Sequence, residues 1–130
     1  MAEKDVVFKN FWSQFAPAYD ETSVPDEKDI IAIHGSAFPR ITYDVVLGDT
    51  MNENAMSASL WDRSSSWNGV MAVFDQINDT LSNGGVILPC DGGGLWIKKA
   101  SPWAQRLGDA SDDSVRRLLL NISVEFITDN

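Results

Sequence analysis

The stretch "VRRLLLNISVEFIT", residues 115–128, restricts what this chain can become more than any other. Leu118, Leu120, Ile122, Val124 and Phe126 alternate with Leu119, Asn121, Ser123, Glu125 and Ile127. Period-two alternation of this kind predicts a long β-strand with one face in a core. Such a strand cannot stand alone. Its backbone N–H and C=O groups need partner strands, and its apolar face needs a covering layer.

The rest of the chain offers both. "RITYDVVLG" (40–48) places Ile41, Tyr43, Val45 and Leu47 on one face, and "MSASLWD" (56–62) opposes Met56, Ala58 and Leu60 to Ser57, Ser59 and Trp61. With the polar connection 49–55 between them, these two segments predict an antiparallel hairpin. "VILPC" and "LWIKK" flank "DGGG" and predict a second hairpin, with Pro89 directing its first strand to an edge. "IIAIHG" (30–35) is expected to be a further short strand, and the polar stretch after "LWIKK" to be irregular.

Two segments have helical spacing. In "SWNGVMAVFDQINDTLSNGG", Val70, Val73, Phe74, Ile77 and Leu81 form one stripe, with Ser65 or Ser66 as the expected N-cap and Gly84 at the C-terminal end. In "KDVVFKNFWSQFA" (4–16), Val7, Phe8, Phe11, Trp12 and Phe15 share a face, and Pro17 ends the run. The proline-containing acidic segment that follows, to residue 29, is expected to be an exposed loop. The expected fold class is therefore α+β: a mostly antiparallel sheet, one long helix packed on a face and a short N-terminal helix. The 130 residues predict a single domain, 1–130, with the helix in 1–16, the loop in 17–29 and the core in 30–130.

Charge and composition narrow the function. The net charge of −9 opposes wrapping of nucleic acid, and in the sequence the ten basic residues do not cluster beyond Lys98-Lys99 and Arg116-Arg117. No apolar run approaches the roughly 20 residues that span a bilayer, so no membrane partner is expected. The N-terminal "MAEKDVVFKN" lacks the apolar core of a secretory signal, and the single Cys90 has no partner for an internal disulfide, which predicts synthesis in the cytoplasm.

Candidate chemistry is sparse. His34 is the sole histidine, and Ser36 beside it lies in no nucleophile-elbow pattern. Cys90 sits in an apolar run after Pro89 and reads as a buried thiol. One Cys and one His do not make a zinc site, and "DASDDS" (109–114) reads as a solvated turn rather than a calcium loop. "CDGGGLW" leads into a strand, whereas a phosphate loop opens a helix. The serines of "LWDRSSSWNG" (60–69) have no base beside them and read as the joint between strand and helix. No catalytic residue, metal ligand or cofactor is expected.

Trp61 does ask for an explanation. It shares a face with Ser57 and Ser59, and the last strand carries Leu119 and Ile127 on its own more polar face. Large apolar groups on a second sheet face predict a covering layer or a neighbouring chain. Trp61, Leu119 and Ile127 are accordingly the expected interface residues. An alternative is a small ligand- or carbohydrate-binding domain using exposed Trp61, Trp67 or Trp103.

The order of elements over residues 30–130, with "RITYDVVLGD", "AMSASLWDRSSSWNGVMAVFDQINDTL", the glycine-rich hairpin and "RRLLLNISVEFIT", resembles the tail-terminator and tail-completion proteins of long-tailed bacteriophages. Prophage copies of that family are sometimes labelled minor capsid or head–tail joining proteins. The resemblance implies a non-enzymatic structural protein of the virion. It would form a homo-oligomeric ring, usually a hexamer, whose partners are tail-tube and head-connector proteins. It also implies a final strand inside the sheet and an acidic lumen through which DNA passes without specific binding.

Overall fold

The computed structural model describes residues 3–45, 53–108 and 114–128. Their order is α1 (Lys4–Ser13), β1 (Ala18–Asp20), α2 (Glu27–His34), β2 (Arg40–Tyr43), β3 (Glu53–Arg63), α3 (Asn68–Thr80), β4 (Val86–Cys90), β5 (Gly93–Leu107) and β6 (Val115–Thr128). All six strands form one sheet in the order β1-β2-β3-β6-β5-β4, with β1 parallel to β2 and every other pair antiparallel.

The expected α+β class with one long helix is corrected by this arrangement. The described residues are mostly β, 46% strand against 27% helix, with a mixed six-stranded sheet and three short helices of 10, 8 and 13 residues. Three local differences produce the change. The apolar run "IIAI" lies in helix α2, because Glu27 and Asp29 occupy its first turn, and Gly35 closes it at φ +84°. The segment 17–29 holds β1 and the start of α2 rather than a continuous loop. β5 runs through the stretch expected to be irregular, absorbing it in a bulge between Lys99 and Ala104.

The antiparallel pairing expected for the two hairpins follows the sequence reading. Arg40–Tyr43 pair with Trp61–Ala58, and Val86–Cys90 pair with Ile97–Gly93 across the glycine turn. The edge strand β4 carries Pro89. β6 lies between β3 and β5 and pairs with β3 over eleven positions, Glu53↔Glu125 to Arg63↔Val115. Val46, Leu47 and the rest of 46–52 lie outside the described residues.

One face of the sheet holds the core. Ile41, Tyr43, Met56, Ala58, Leu60, Leu95, Ile97, Leu118, Leu120, Ile122 and Val124 are buried there. They pack with Val7, Phe8, Phe11 and Trp12 of α1 and with Val70, Val73, Ile77 and Leu81 of α3. α3 is fixed at both ends. The Asp62 carboxylate lies against its first turn, where a Cβ on Gly69 would fall 2.1 Å from Oδ2, and the positive helix terminus favours an anion there. Near its other end, the Asn78 side-chain oxygen accepts from Lys99 Nζ (2.7 Å) and from Trp103 Nε1 (3.0 Å). Helix α2 stands apart: its buried Ile30 is not part of the main cluster, and Ile31 and Ile33 are exposed.

Gly84 and Gly85 both have positive φ, +91° and +92°, but they differ in space. A Cβ at Gly85 would meet the Ile97 carbonyl oxygen at 2.1 Å, whereas among the described residues nothing beyond its chain neighbours lies within 4 Å of one at Gly84. Gly84→Ala is expected to cost about 1 kcal/mol from backbone strain alone. Gly85→Ala should cost about 2–4 kcal/mol, because the β4–β5 pairing must also shift. Denaturant melts of both variants check this, and equal costs would contradict the close approach.

Cys90 is fully buried, and burial pushes its thiol above the ordinary range. Native protein should therefore resist a thiol reagent at neutral pH, and labelling should appear only as denaturant unfolds the chain. Prompt stoichiometric labelling of folded protein would show that the β4–β5 end opens readily.

Candidate functional site

Because side chains alternate, packing one face of the sheet sends a defined set to the other. Along β3 this set is Ala55, Ser57, Ser59, Trp61 and Arg63, and along β6 it is Arg117, Leu119, Asn121, Ser123, Glu125 and Ile127. Ser59 is buried, but the remainder are half-buried or exposed. The expected interface residues all lie on this face. Trp61 and Leu119 are diagonal neighbours, since Trp61 faces Arg117 and Leu119 faces Ser59. Ile127, 39% exposed, is near the far end of β6, and the structure does not bring it to the other two.

Trp61 is the centre of a row that crosses four strands: Arg40 of β2, Trp61 of β3, Arg117 of β6 and Leu107 of β5. Its indole N–H donates to Thr42 Oγ1 at 2.8 Å, and the Arg117 guanidinium lies 4.8 Å from its ring centroid. Arg117 Nε also donates to Ser59 Oγ at 3.0 Å, which accounts for the burial of that hydroxyl. Next to this row, the Phe38 ring is flanked by Arg40 at 4.5 Å and Arg63 at 4.7 Å. Arg63 also binds the Glu27 carboxylate with both terminal nitrogens, at 2.9 and 3.3 Å, which ties α2 to the end of β3.

The row belongs to a larger feature that reading along the sequence missed. All five arginines of the chain gather at one end of the sheet. Arg40 begins β2, Arg63 ends β3, Arg106 is next to last in β5, and Arg116 and Arg117 stand near the start of β6. Each stacks on an aromatic ring: Arg40 and Arg63 on Phe38, Arg117 on Trp61, and Arg106 and Arg116 on Trp67 at 4.7 and 5.8 Å. Desolvation holds the Arg40 guanidinium below its ordinary pKa, against the opposing pull of Glu27. Antiparallel pairing brings strand beginnings beside strand ends, so residues spread from 40 to 117 converge. The available sequence signal was an arginine at an end of three expected strands, Arg40, Arg63 and the pair Arg116-Arg117, whereas Arg106 falls in the stretch expected to be irregular.

Two exposed carboxylates respond to cations on this side of the sheet. The hydrogen bond from Arg63 holds Glu27 below the usual carboxylate range, and the hydrogen bonds from Lys98 and then Ser123 do the same for Glu53. A folded-state pKa below the unfolded value contributes stability above the unfolded value, about 4.3 for Glu. That contribution disappears as pH falls through the folded values. Melting temperatures from pH 7 to pH 3 should therefore decline less steeply for Glu27→Gln/Glu53→Gln than for the native chain. An unchanged slope would mean that neither pair forms in solution.

The remaining candidates are engaged elsewhere. His34 Nε2 shares a hydrogen bond with Tyr19 Oη at 3.0 Å, and Ser36 Oγ donates to the Phe38 carbonyl at 2.6 Å. In the joint between β3 and α3, Ser64 Oγ accepts from Ser66 N–H and Ser66 Oγ from Asn68 N–H, so the serines close successive turns. The helix cap itself is Trp67, with no side-chain bond, rather than Ser65 or Ser66. "CDGGG" is the β4–β5 turn. Residues 109–113 of the acidic run lie outside the described residues. Among the described residues, no three His, Cys, Asp or Glu side chains converge to hold a metal, and no helix is long and apolar enough to cross a membrane.

Trp67 and Trp103, offered with Trp61 for carbohydrate binding, make internal contacts, as do the other two tryptophans. Trp12 is buried, Trp67 carries two arginines, and Trp96 and Trp103 donate to the Gly84 carbonyl and to Asn78. Comparison of the chain with protein-family models, with curated proteins and with solved structures gives no match.

Proposed function

We propose that the chain is a non-enzymatic structural subunit of a long-tailed phage or prophage particle. It would assemble with copies of itself into a ring, in the manner of a tail terminator or tail-completion protein at the head–tail junction. The observation that carries this reading is the second sheet face. It presents Trp61 between Arg40 and Arg117, with Leu119 beside it, and these groups are neither buried like the core face nor purely polar. Tryptophan and arginine are the residue types that dominate interface energetics, and a half-buried row of them suits a contact between proteins. The resemblance in element order supports a role at the head–tail junction, and the net charge of −9 is compatible with DNA passing such a ring without adhering. The carbohydrate reading loses ground because the indole N–H groups of Trp61, Trp96 and Trp103 are already bonded within the chain.

Size-exclusion chromatography with light scattering, run with and without purified tail tubes, tests the proposal. A ring-sized species, alone or on the tubes, is the expected result. A chain that stays monomeric at all concentrations and does not join the tubes would overturn it.

A further inference from the structure

The chain contains two Asn-Gly pairs, Asn68-Gly69 and Asn83-Gly84, and the fold places them in opposite surroundings. The dipeptide matters chemically because glycine has no Cβ to shield its backbone nitrogen from the preceding side-chain amide. Asn68 begins α3, so its backbone is held in the helix, and its N–H donates to Ser66 Oγ at 3.0 Å. Gly69 is crowded. The Asp62 carboxylate occupies the space where a Cβ would stand, and its negative charge opposes removal of a proton from the backbone beside it. Asn83-Gly84 lies instead in the turn between α3 and β4. Both residues are exposed, and among the described residues nothing beyond the chain neighbours lies within 4 Å of a Cβ on Gly84. Asn83 is the one non-glycine residue with positive φ among those described, at 60°, so its backbone already stands outside helix and strand. Neither its side-chain amide nor the Gly84 N–H has a hydrogen-bond partner among the described residues. The Gly84 carbonyl accepts from Trp96 Nε1 at 2.8 Å, which anchors the following peptide and leaves the Gly84 nitrogen free.

We propose that Asn83 is a site of spontaneous covalent modification, in which its side chain closes on the main chain. The Gly84 nitrogen, having lost its proton to hydroxide, attacks Asn83 Cγ. An N–Cγ bond forms, the Cγ–Nδ2 bond breaks, and the amide nitrogen leaves as ammonia after taking a proton from water. Water then opens the succinimide ring that joins the two residues. Attack at Cγ gives aspartate, and attack at the main-chain carbonyl gives isoaspartate, whose backbone is longer by a carbon. Nothing is oxidised or reduced, and either product adds a negative charge. The longer backbone has a structural consequence. Gly84 is tied to Trp96, and Gly85 lies so close to the Ile97 carbonyl oxygen that a Cβ there would be 2.1 Å away. The turn has no slack to absorb isoaspartate, so the start of β4, at the edge of the sheet, must shift. This site is independent of how copies of the chain assemble.

Warm incubation of the full chain at neutral and at mildly alkaline pH, followed by ion exchange and peptide mapping, tests it. Acidic material should accumulate, faster at the alkaline pH, with the conversion mapped to Asn83 and with Asn68 intact. The chain unfolded in urea is the reference, and there both pairs should react. Gly84→Ala, for which the fold has room, should slow the conversion about tenfold or more, because the added Cβ shields the nitrogen. Asn83→Gln should all but abolish it at this position, since its longer side chain closes a ring less readily, and Asn68→Gln should leave the rate unchanged. The isoaspartate form should melt several degrees below Asn83→Asp, which has the charge without the longer backbone. Conversion in the folded chain at Asn68, at both pairs equally or at neither overturns the proposal. A native rate in Gly84→Ala overturns it too, and if that variant fails to fold by circular dichroism, a native yield of acidic material from Asn83→Gln does the same. Equal melting of the isoaspartate form and Asn83→Asp would overturn the shift of β4.

Discussion

Trp12→Ala is expected to be the most damaging substitution to the fold, at about 3–5 kcal/mol. Trp12 is 1% exposed, the largest fully buried side chain among the described residues, and meets Phe11 edge to face at 4.9 Å. Together with Val7, Phe8 and Phe11 it is how α1 attaches to the sheet, so truncation opens a cavity that the rigid strands beneath cannot close. Against a total stability of roughly 5–15 kcal/mol, this removes a large share, and the melting temperature should fall by about 10–20 °C. Thermal unfolding by circular dichroism reads it directly. A decrease of less than about 3 °C would mean that α1 is not integral to the core.

Trp61→Ala should have the converse profile, with assembly lost and the fold kept. The folded monomer gives up one hydrogen bond to Thr42 and the stacking of Arg117, which together are worth about 1–2 kcal/mol on a half-exposed surface. An aromatic anchor at the centre of an interface is worth about 2–4 kcal/mol, so self-association should weaken roughly 30-fold or more. Trp61→Phe retains a ring for Arg117 without the bond to Thr42, and should fall between the two. Light scattering at matched concentrations, alongside a thermal melt, separates the outcomes. Wild-type association in the alanine variant contradicts the interface, and an unfolded variant would place Trp61 in the core instead.

Legibility differed by element for identifiable reasons. β6 and α3 carry long, regular apolar periods, and each buries the face that its period specified. Their faces are set by geometry within the element, so no other part of the chain was needed to read them. α2 was misread because four consecutive apolar residues fit either period, and what decides is its ends: acids in the first turn and Gly35 after the last. β5 past Lys99 was missed because its partner supplies the order. Ala104–Leu107 pair with Leu120–Arg117, and the bulge accommodates the irregular residues between. Trp61 was legible as a residue on the second face, but the arginines around it were not, since their separations along the chain carry no period.

The sequence alone determined which side chains of α1, α3, β3 and β6 share a face, where the glycine turn joins β4 to β5, and that Trp61, Leu119 and Ile127 oppose the core side, because alternation and helical pitch are properties of a short stretch of backbone. The tertiary structure decided the rest: that the sheet is mixed, that β5 continues past Lys99, and that five arginines from four strands gather at one end. Those features depend on strand order and register between segments far apart in the chain. No local pattern encodes them, since the pairing energy that selects them exists only once the strands have met.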